Sequence, residues 1–231
     1  MGSTDPEAVL LTCASETRHR LRSYGIRRRA QRERVPAALA DVPSVTLGPR
    51  PGRDEVDPIL ADRPDARLIV HGTDADLAAV LVRLLRTERL GTEVGYVPVA
   101  RRSVAAAVWG LPLRPDAAAE LARHGVAGPV PLVRDDAGGV LVGRGEMRDF
   151  DGEGYCDATL VLRGRVRRLL VDAGPDGVSV LPDRDVRAAV GRAVQIGTSG
   201  ARVTSDGVEH PREIPRWAWY RHTEPWQLVR P

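Results

Sequence analysis

Two short polar turns hold the residues of this chain best placed to do chemistry. The first is Gly72-Thr73-Asp74-Ala75-Asp76 and the second is Ala100-Arg101-Arg102-Ser103. Each follows an apolar run and leads into a helix-forming one. Gly72 lets the backbone leave a strand steeply, and Thr73 and Asp74 are both good N-cap residues. The free N–H groups of such a turn can cradle an anion. The carboxylates of Asp74 and Asp76 repel one, unless a divalent cation mediates or Asp74 serves a hydroxyl or acts as a base. Arg101 and Arg102 stand where a helix start already favours anions, and a bidentate arginine there can hold a phosphate or carboxylate. Ser103 is the candidate cap. Ordinary capping and a solvated arginine pair account for the same residues without a ligand.

Further candidates lie outside the turns. His71 directly precedes Gly72 and reads either as a functional histidine or as a core-edge one; His222 reads as a surface or packing histidine. Asp206-Gly207 is a strong turn signal. Trp217 and Trp219 alternate onto one face of an extended segment. They can roof a small β core, or form a protein interface, a membrane surface or a ligand wall. Eight arginines between Arg18 and Arg34 form either a solvated helix face or a surface for anionic lipid or polyphosphate.

The elements that must position the two turns read as a parallel βα pattern. Strands are expected at 66–71 and 95–99, each followed by a helix, at 77–85 and from Ser103 through Trp109. Further strands are expected at 8–13 and 44–47, and helices at 54–61 and 114–124. Leu68-Ile69-Val70 is continuous rather than alternating, as suits a strand buried on both faces. After Pro129 short apolar runs at 130–133, 139–142, 155–162, 166–171 and 178–181 alternate with Gly and Asp turns, the texture of an antiparallel sandwich. Residues 183–189 read as a helix, or 185–196 as one long strand. Strands are expected at 201–205 and 226–231. In open α/β sheets ligands sit where strands feed helices, which again selects the two turns.

Composition narrows the chemistry. The 231 residues include 34 basic ones against 31 acidic, a formal charge of +3, and 42% are apolar. There is no lysine and no asparagine, so every basic side chain is arginine. The lack of lysine excludes a P-loop and Schiff-base chemistry. Cys13 and Cys156 have no ligand spacing, so neither a disulfide framework nor a zinc site is indicated. No apolar run approaches the roughly 20 residues that span a bilayer, and the start carries no secretion pattern. Residues 1–6 read as an unstructured start. The expectation is a cytoplasmic protein, with peripheral membrane contact left open. Basic residues are matched by acidic ones, and no helix-turn-helix or aromatic-basic platform points to nucleic acid.

With these residues in view, the chain resembles the diacylglycerol kinase catalytic-domain family. That family includes bacterial lipid kinases and sphingosine kinases and is related to the NAD kinases. Its Gly-Gly-Asp-Gly-Thr-Leu turn is similar to Gly72-Thr73-Asp74-Ala75-Asp76-Leu77. Its Gly-Ile-Ile-Pro-Leu-Gly-Thr-Gly-Asn-Asp run is similar to Gly95-Tyr96-Val97-Pro98-Val99-Ala100-Arg101-Arg102-Ser103-Val104. Its Leu-Gly-Ile-Pro helix end is similar to Trp109-Gly110-Leu111-Pro112. Most of the family's glycines are replaced, by Thr73, Ala75, Ala100 and Arg102, so the resemblance is to a divergent member with degraded nucleotide-binding motifs.

The resemblance implies an α/β fold: an open parallel α/β domain at 7–126 with a kinase-like nucleotide-binding fold, then a mostly antiparallel β-sandwich domain at 127–231 whose last strand packs back on the first. It implies ATP and Mg2+ as cofactors, though no cofactor at all is an equal expectation for so degraded a motif. Gly72, Thr73, Asp74, Asp76, Arg101, Arg102 and Ser103 are the implied nucleotide- or anion-binding residues. Asp74 and Asp206 are the implied metal ligands, and Asp206 and Glu209 the implied catalytic acids. The expected function is a lipid-kinase-like protein with little or no phosphotransfer, holding an anionic small molecule, nucleotide, lipid or protein partner in the interdomain cleft. An active lipid kinase and a non-enzymatic interaction module are the alternatives. A homo-oligomer is expected.

Overall fold

The computed structural model describes residues 7–14, 34–100 and 102–231. The expected unstructured start, the arginine-rich stretch up to residue 33 and Arg101 lie outside the described residues.

The chain begins with strand β1 (Ala8–Cys13), strand β2 (Ser44–Leu47), helix α1 (Arg53–Asp62), strand β3 (Arg67–Gly72), helix α2 (Asp74–Arg86), strand β4 (Glu93–Pro98), helix α3 (Val104–Val108) and helix α4 (Pro115–His124). The four strands are parallel in the order β2-β1-β3-β4. Every residue of β3 is buried, as its unbroken apolar run requires. One face of this sheet packs α1 and α2 through Val56, Leu60, Leu77, Val80, Leu81 and Leu84. On the other face α4 packs through Ala118, Ala119 and Ala122 against Leu10, Ile69 and Val97. The Arg67 guanidinium, nearly fully buried, ties the sheet to α4: it donates to Glu93 Oε2 at 2.8 Å and to the Arg123 carbonyl at 2.6 Å.

The antiparallel part comprises β5 (Val126–Asp135), β6 (Val140–Leu141), β7 (Arg144–Cys156), β8 (Thr159–Gly174), β9 (Gly177–Val180), β10 (Ala189–Gly191), β11 (Ala193–Ser205), β12 (Val208–Glu209) and β13 (Ile214–Arg230). Its strands run β10-β9-β8-β7-β11-β13. β9 lies against β5, β11 and β13 without pairing with them, so the sheet folds over a shared core of Met147, Leu169, Val171, Val178, Val203 and Trp219. β13 joins the two parts. Its first half pairs antiparallel with β11, and Gln227 and Leu228 then pair parallel with β4. The result is the expected parallel α/β sheet followed by antiparallel strands, with the last strand returning to the first sheet.

Several local expectations are corrected. The run 155–162 is two strands joined at Asp157, whose φ is 49°. Apolar content alone hid the turn, which the Asp157 carboxylate braces by accepting N–H bonds from Arg192 and Ala193. Those same bonds break the ambiguous stretch at 183–196 into β10 and β11, so neither the helix nor the single long strand forms. The last strand starts at Ile214, not 226, and runs through Pro225 by a shift of register. It carries Trp217 and Trp219 into the core, at 5% and 0% exposure, so they form no interface or ligand wall. Among the described residues no helix is long and apolar enough to cross a membrane.

Candidate functional site

The first turn closes on itself. Thr73 caps α2, which starts at Asp74 and not at 77 because the two acids fill its first turn. Asp76 is 2% exposed. Its Oδ2 accepts the Thr73 N–H at 2.8 Å and the Thr73 hydroxyl at 2.7 Å. Its Oδ1 accepts the Arg50 N–H at 2.6 Å. This reciprocal capping box needs Gly72: a β-carbon there would stand 2.8 Å from Asp76 Oδ2. Of the turn's amides, those of Thr73 and Asp76 are therefore engaged within the turn itself.

Asp74 reaches across to the second turn. Its Oδ1 accepts the Tyr96 hydroxyl at 2.8 Å and the Ser103 hydroxyl at 2.5 Å. Its Oδ2 accepts the N–H groups of Val104 at 2.9 Å and Ala105 at 3.1 Å. An ionised carboxylate offers about four lone-pair positions, and here all four are filled. Asp74 thus acts as the anion at the start of α3. Ser103, at 3% exposure, also caps α3 by accepting the Ala106 N–H at 2.9 Å. Burial, with the adjoining Asp74 charge second, pushes the Tyr96 hydroxyl well above its ordinary value, so it stays a donor.

Asp206 arrives from the other part of the fold. It sits in the β11–β12 turn with φ 49°, and its carboxylate turns inward. Oδ2 accepts the Val142 N–H at 2.9 Å, and Oδ1 accepts those of Gly143 and Arg144 at 2.8 and 3.0 Å. Gly143 separates the two aspartates. A β-carbon on it would lie 2.9 Å from the Ala105 nitrogen, 3.0 Å from Asp206 Oδ1 and 3.2 Å from Asp74 Oδ2. Burial, followed by the Asp74 charge, raises the Asp206 carboxyl to about 7, while its three N–H bonds pull the other way. Alongside, the Trp109 indole N–H donates to the Val142 carbonyl at 2.9 Å, and its ring meets Trp226 edge-on at 6.3 Å.

The other candidates separate. Glu209 is exposed and pairs with Arg202 at 3.1 Å, so it does not join Asp206. The intervening Val208 keeps β12 in register with β11 and points the acid outward. Arg102 is exposed, while Arg101 lies outside the described residues. His71 is 3% exposed, and burial lowers its basicity. Its Nδ1 has no hydrogen-bond partner. The Trp217 indole edge meets His210 and Trp219 within the core.

The acids among the described residues do not fit Mg2+. Asp74 has no lone pair left for a cation, and Asp76 and Asp206 have one each. Among the described residues no group of three or more His, Cys, Asp or Glu side chains could hold a metal.

What remains open is a cavity of about 450 Å3 between α3 and the starts and ends of β7 and β8. Val104, Ala107, Val108 and Leu113 make its apolar wall, and Arg102 stands at its edge. Opposite, Arg144 and Asp172 form a bidentate pair at 2.6 and 2.7 Å. A shallower hollow of about 580 Å3, with Asp151, Glu153 and Arg163 on its rim, contains none of the candidate residues.

Sequence reasoning did not single out Tyr96, Gly143 or the Arg144–Asp172 pair. Tyr96 stood inside the second motif as the one polar-tipped residue of a buried strand, a usable signal for a hydroxyl aimed at the turn. Gly143 and the ion pair depend on contacts distant in sequence and left no local signal.

No family profile and no curated protein matches the sequence. Solved structures do match. A diacylglycerol kinase from Bacillus anthracis str. Sterne is 12% identical, with a TM-score of 0.67 and coverage of 99% of this chain and 98% of that one. An NAD kinase from Archaeoglobus fulgidus in complex with ATP is 13% identical, with a TM-score of 0.51 over 84% of this chain and 86% of that one. A yeast NADH kinase complexed with NADH is 9% identical, with a TM-score of 0.52 over 99% and 84%. Together with the parallel-then-antiparallel architecture and its returning last strand, these likenesses give this chain the fold of the diacylglycerol kinases and NAD kinases.

Proposed function

We propose that this chain is a lipid-kinase-like protein that has given up phosphotransfer and holds an anionic ligand in the cavity between α3 and the β7–β8 strands. The observation that carries the reading is the saturation of Asp74. Phosphotransfer in this fold class needs a metal and a place for phosphates. Here the four lone-pair positions of Asp74 serve Tyr96, Ser103, Val104 and Ala105. The carboxylate occupies the helix start that would otherwise favour a phosphate. The cavity beside it joins an apolar wall to the Arg102 guanidinium. Its chemistry suits a phosphate or carboxylate on an apolar body.

A nucleotide and a lipid headgroup both carry that chemistry, and nucleotides are what the NAD kinase and NADH kinase structures contain. Calorimetric titration of the full chain with metal-free ATP, with NADH and with a short-chain phosphatidic acid separates the sources. The reading expects saturable binding of at least one, weakened about tenfold in Arg102→Ser, the loss of one charge-assisted contact. Binding of none of the three, or binding indifferent to Arg102→Ser, contradicts it.

A further inference from the structure

Most arginines that this fold draws out of water are given an acceptor. Arg63, Arg67, Arg83, Arg89, Arg123 and Arg144 each donate to a carboxylate or a backbone carbonyl. Arg134, on β5, is also half-buried. Its Nε is enclosed without a hydrogen-bond partner, and among the described residues its guanidinium enters no ion pair. The Tyr220 ring, opposite it on β13, covers one face of the guanidinium, with the central carbon 6.0 Å from the ring centre. With Nε enclosed and the side chain half-buried, the two Nη groups are the donors that reach solvent.

β13 bulges just beyond this pair. Arg221 pairs with Val133 and Pro225 with Pro131, so His222, Thr223 and Glu224 stand opposite Leu132 alone. A bulge of this kind re-aims side chains. Here it brings His222 under the influence of Arg134: burial first, and the Arg134 charge second, lower the basicity of its ring, while Glu224 opposes them. His222 is half-buried, and among the described residues neither of its ring nitrogens has a partner. The nearby acids are otherwise placed. Asp135 accepts the amides of Ala137 and Gly139. Asp136 and Glu224 are exposed and, among the described residues, pair with no arginine.

We propose that Arg134, Tyr220 and His222 form a site for a small oxyanion, a carboxylate or a phosphate, bound at the Nη edge of Arg134. A planar guanidinium stacked on an aromatic ring is held in one orientation. It offers two parallel N–H groups, the fork that carboxylate and phosphate oxygens fit. The His222 ring adds a further hydrogen-bond position at its flank. A cation drawn from water without an acceptor costs stability, and a bound oxyanion removes that cost. The site shares no residue with the cavity beside α3, so it stands whether or not that cavity takes a ligand.

The test is an NMR titration of the full 15N-labelled chain at fixed pH and ionic strength. Inorganic phosphate is added in one arm and acetate in the other, with sodium chloride as the reference. The Arg134 Nε–H, sheltered from solvent, is identified by its loss in Arg134→Gln, and the His222 ring protons by their loss in His222→Gln. Both signals are expected to shift along a saturable curve with phosphate, with acetate or with both, and the arms tell the two anions apart. In Arg134→Gln the His222 response is expected to need about ten times more anion, one charge-assisted fork having been removed. Signals that stay still in both arms, or that follow chloride equally, overturn the site, as does a His222 response unchanged in Arg134→Gln. Should that variant fail to fold, Arg134→Lys takes its place: it keeps the charge but not the fork, and undiminished binding there overturns the proposal. Binding in the α3 cavity depends on Arg102 and not on Arg134, so the two readings fall separately.

Discussion

At the scale of single residues, the turns are decided by how many donors each carboxylate receives. In the sequence Asp74, Asp76 and Asp206 read either as capping and turn residues or as ligand-site acids, and in the fold they together accept ten hydrogen bonds. Gly143 is what allows two of them to approach. Gly143→Ala places a methyl group 2.9 Å from the Ala105 nitrogen. Backbone on one side and fixed carboxylates on the other cannot yield, so the variant is expected to lose about 1–3 kcal/mol, the usual cost of overpacking. Urea denaturation reads this as a lower midpoint at unchanged slope. Asp206 gives a pH signature. Its carboxyl is held above the ordinary value of 3.8, at about 7, so its contribution to stability is full in acid and is lost as pH rises through about 7. Unfolding midpoints of the wild-type chain are expected to fall over that window and those of Asp206→Asn to stay level. At the acid end the variant is expected to be the less stable, because its amide NH2 faces the Val142 N–H.

At the scale of elements, capping and core packing set the geometry of the turns. Asp76→Ala removes the acceptor of the Thr73 and Arg50 amides at the start of α2. The expected cost is about 1–2 kcal/mol, from a lost cap and half-buried donors left without their acceptor, and thermal or urea unfolding measures it. In β13, Trp219 is fully buried and its indole N–H donates to the Ser205 hydroxyl at 3.3 Å. Trp219→Ala is expected to cost about 3–5 kcal/mol, as for large core aromatics. A tryptophan serving an interface would instead change oligomeric mass and leave stability alone; size-exclusion with light scattering, beside denaturation, separates the two. These elements also show what was legible beforehand. β1 was readable to the residue, because a buried parallel strand is a largely apolar run with abrupt ends; β2, exposed at three of its four residues, was readable from the Pro43 and Gly48-Pro49 that bracket it. The Asp157 turn and the break at Arg192 were not, because each depends on side-chain bonds to a strand elsewhere.

At the scale of the whole molecule, the parallel sheet, the antiparallel extension and the returning last strand were legible from periodicity together with the resemblance. Local pattern survives divergence better than the residues of a site do. For the candidate site, residue type and turn signals pointed to the acids but not to their partners. Asp74 and Asp206, far apart in sequence, both reach the surroundings of Gly143, while Glu209, three residues after Asp206, turns outward to Arg202. What could not be read was the use of each acid. Residue type gives the carboxylate, but only the fold supplies the Tyr96 and Ser103 hydroxyls and the amides that consume it. The central claim is that these acids tie the fold together and do not hold a metal. Its most direct test is calorimetric titration of the full chain with ATP, with and without Mg2+, paired with transfer assays on diacylglycerol and NAD. The structure predicts ATP heats unchanged by Mg2+ and no phosphorylated product. Binding that tightens with Mg2+ and turns over either acceptor would contradict it.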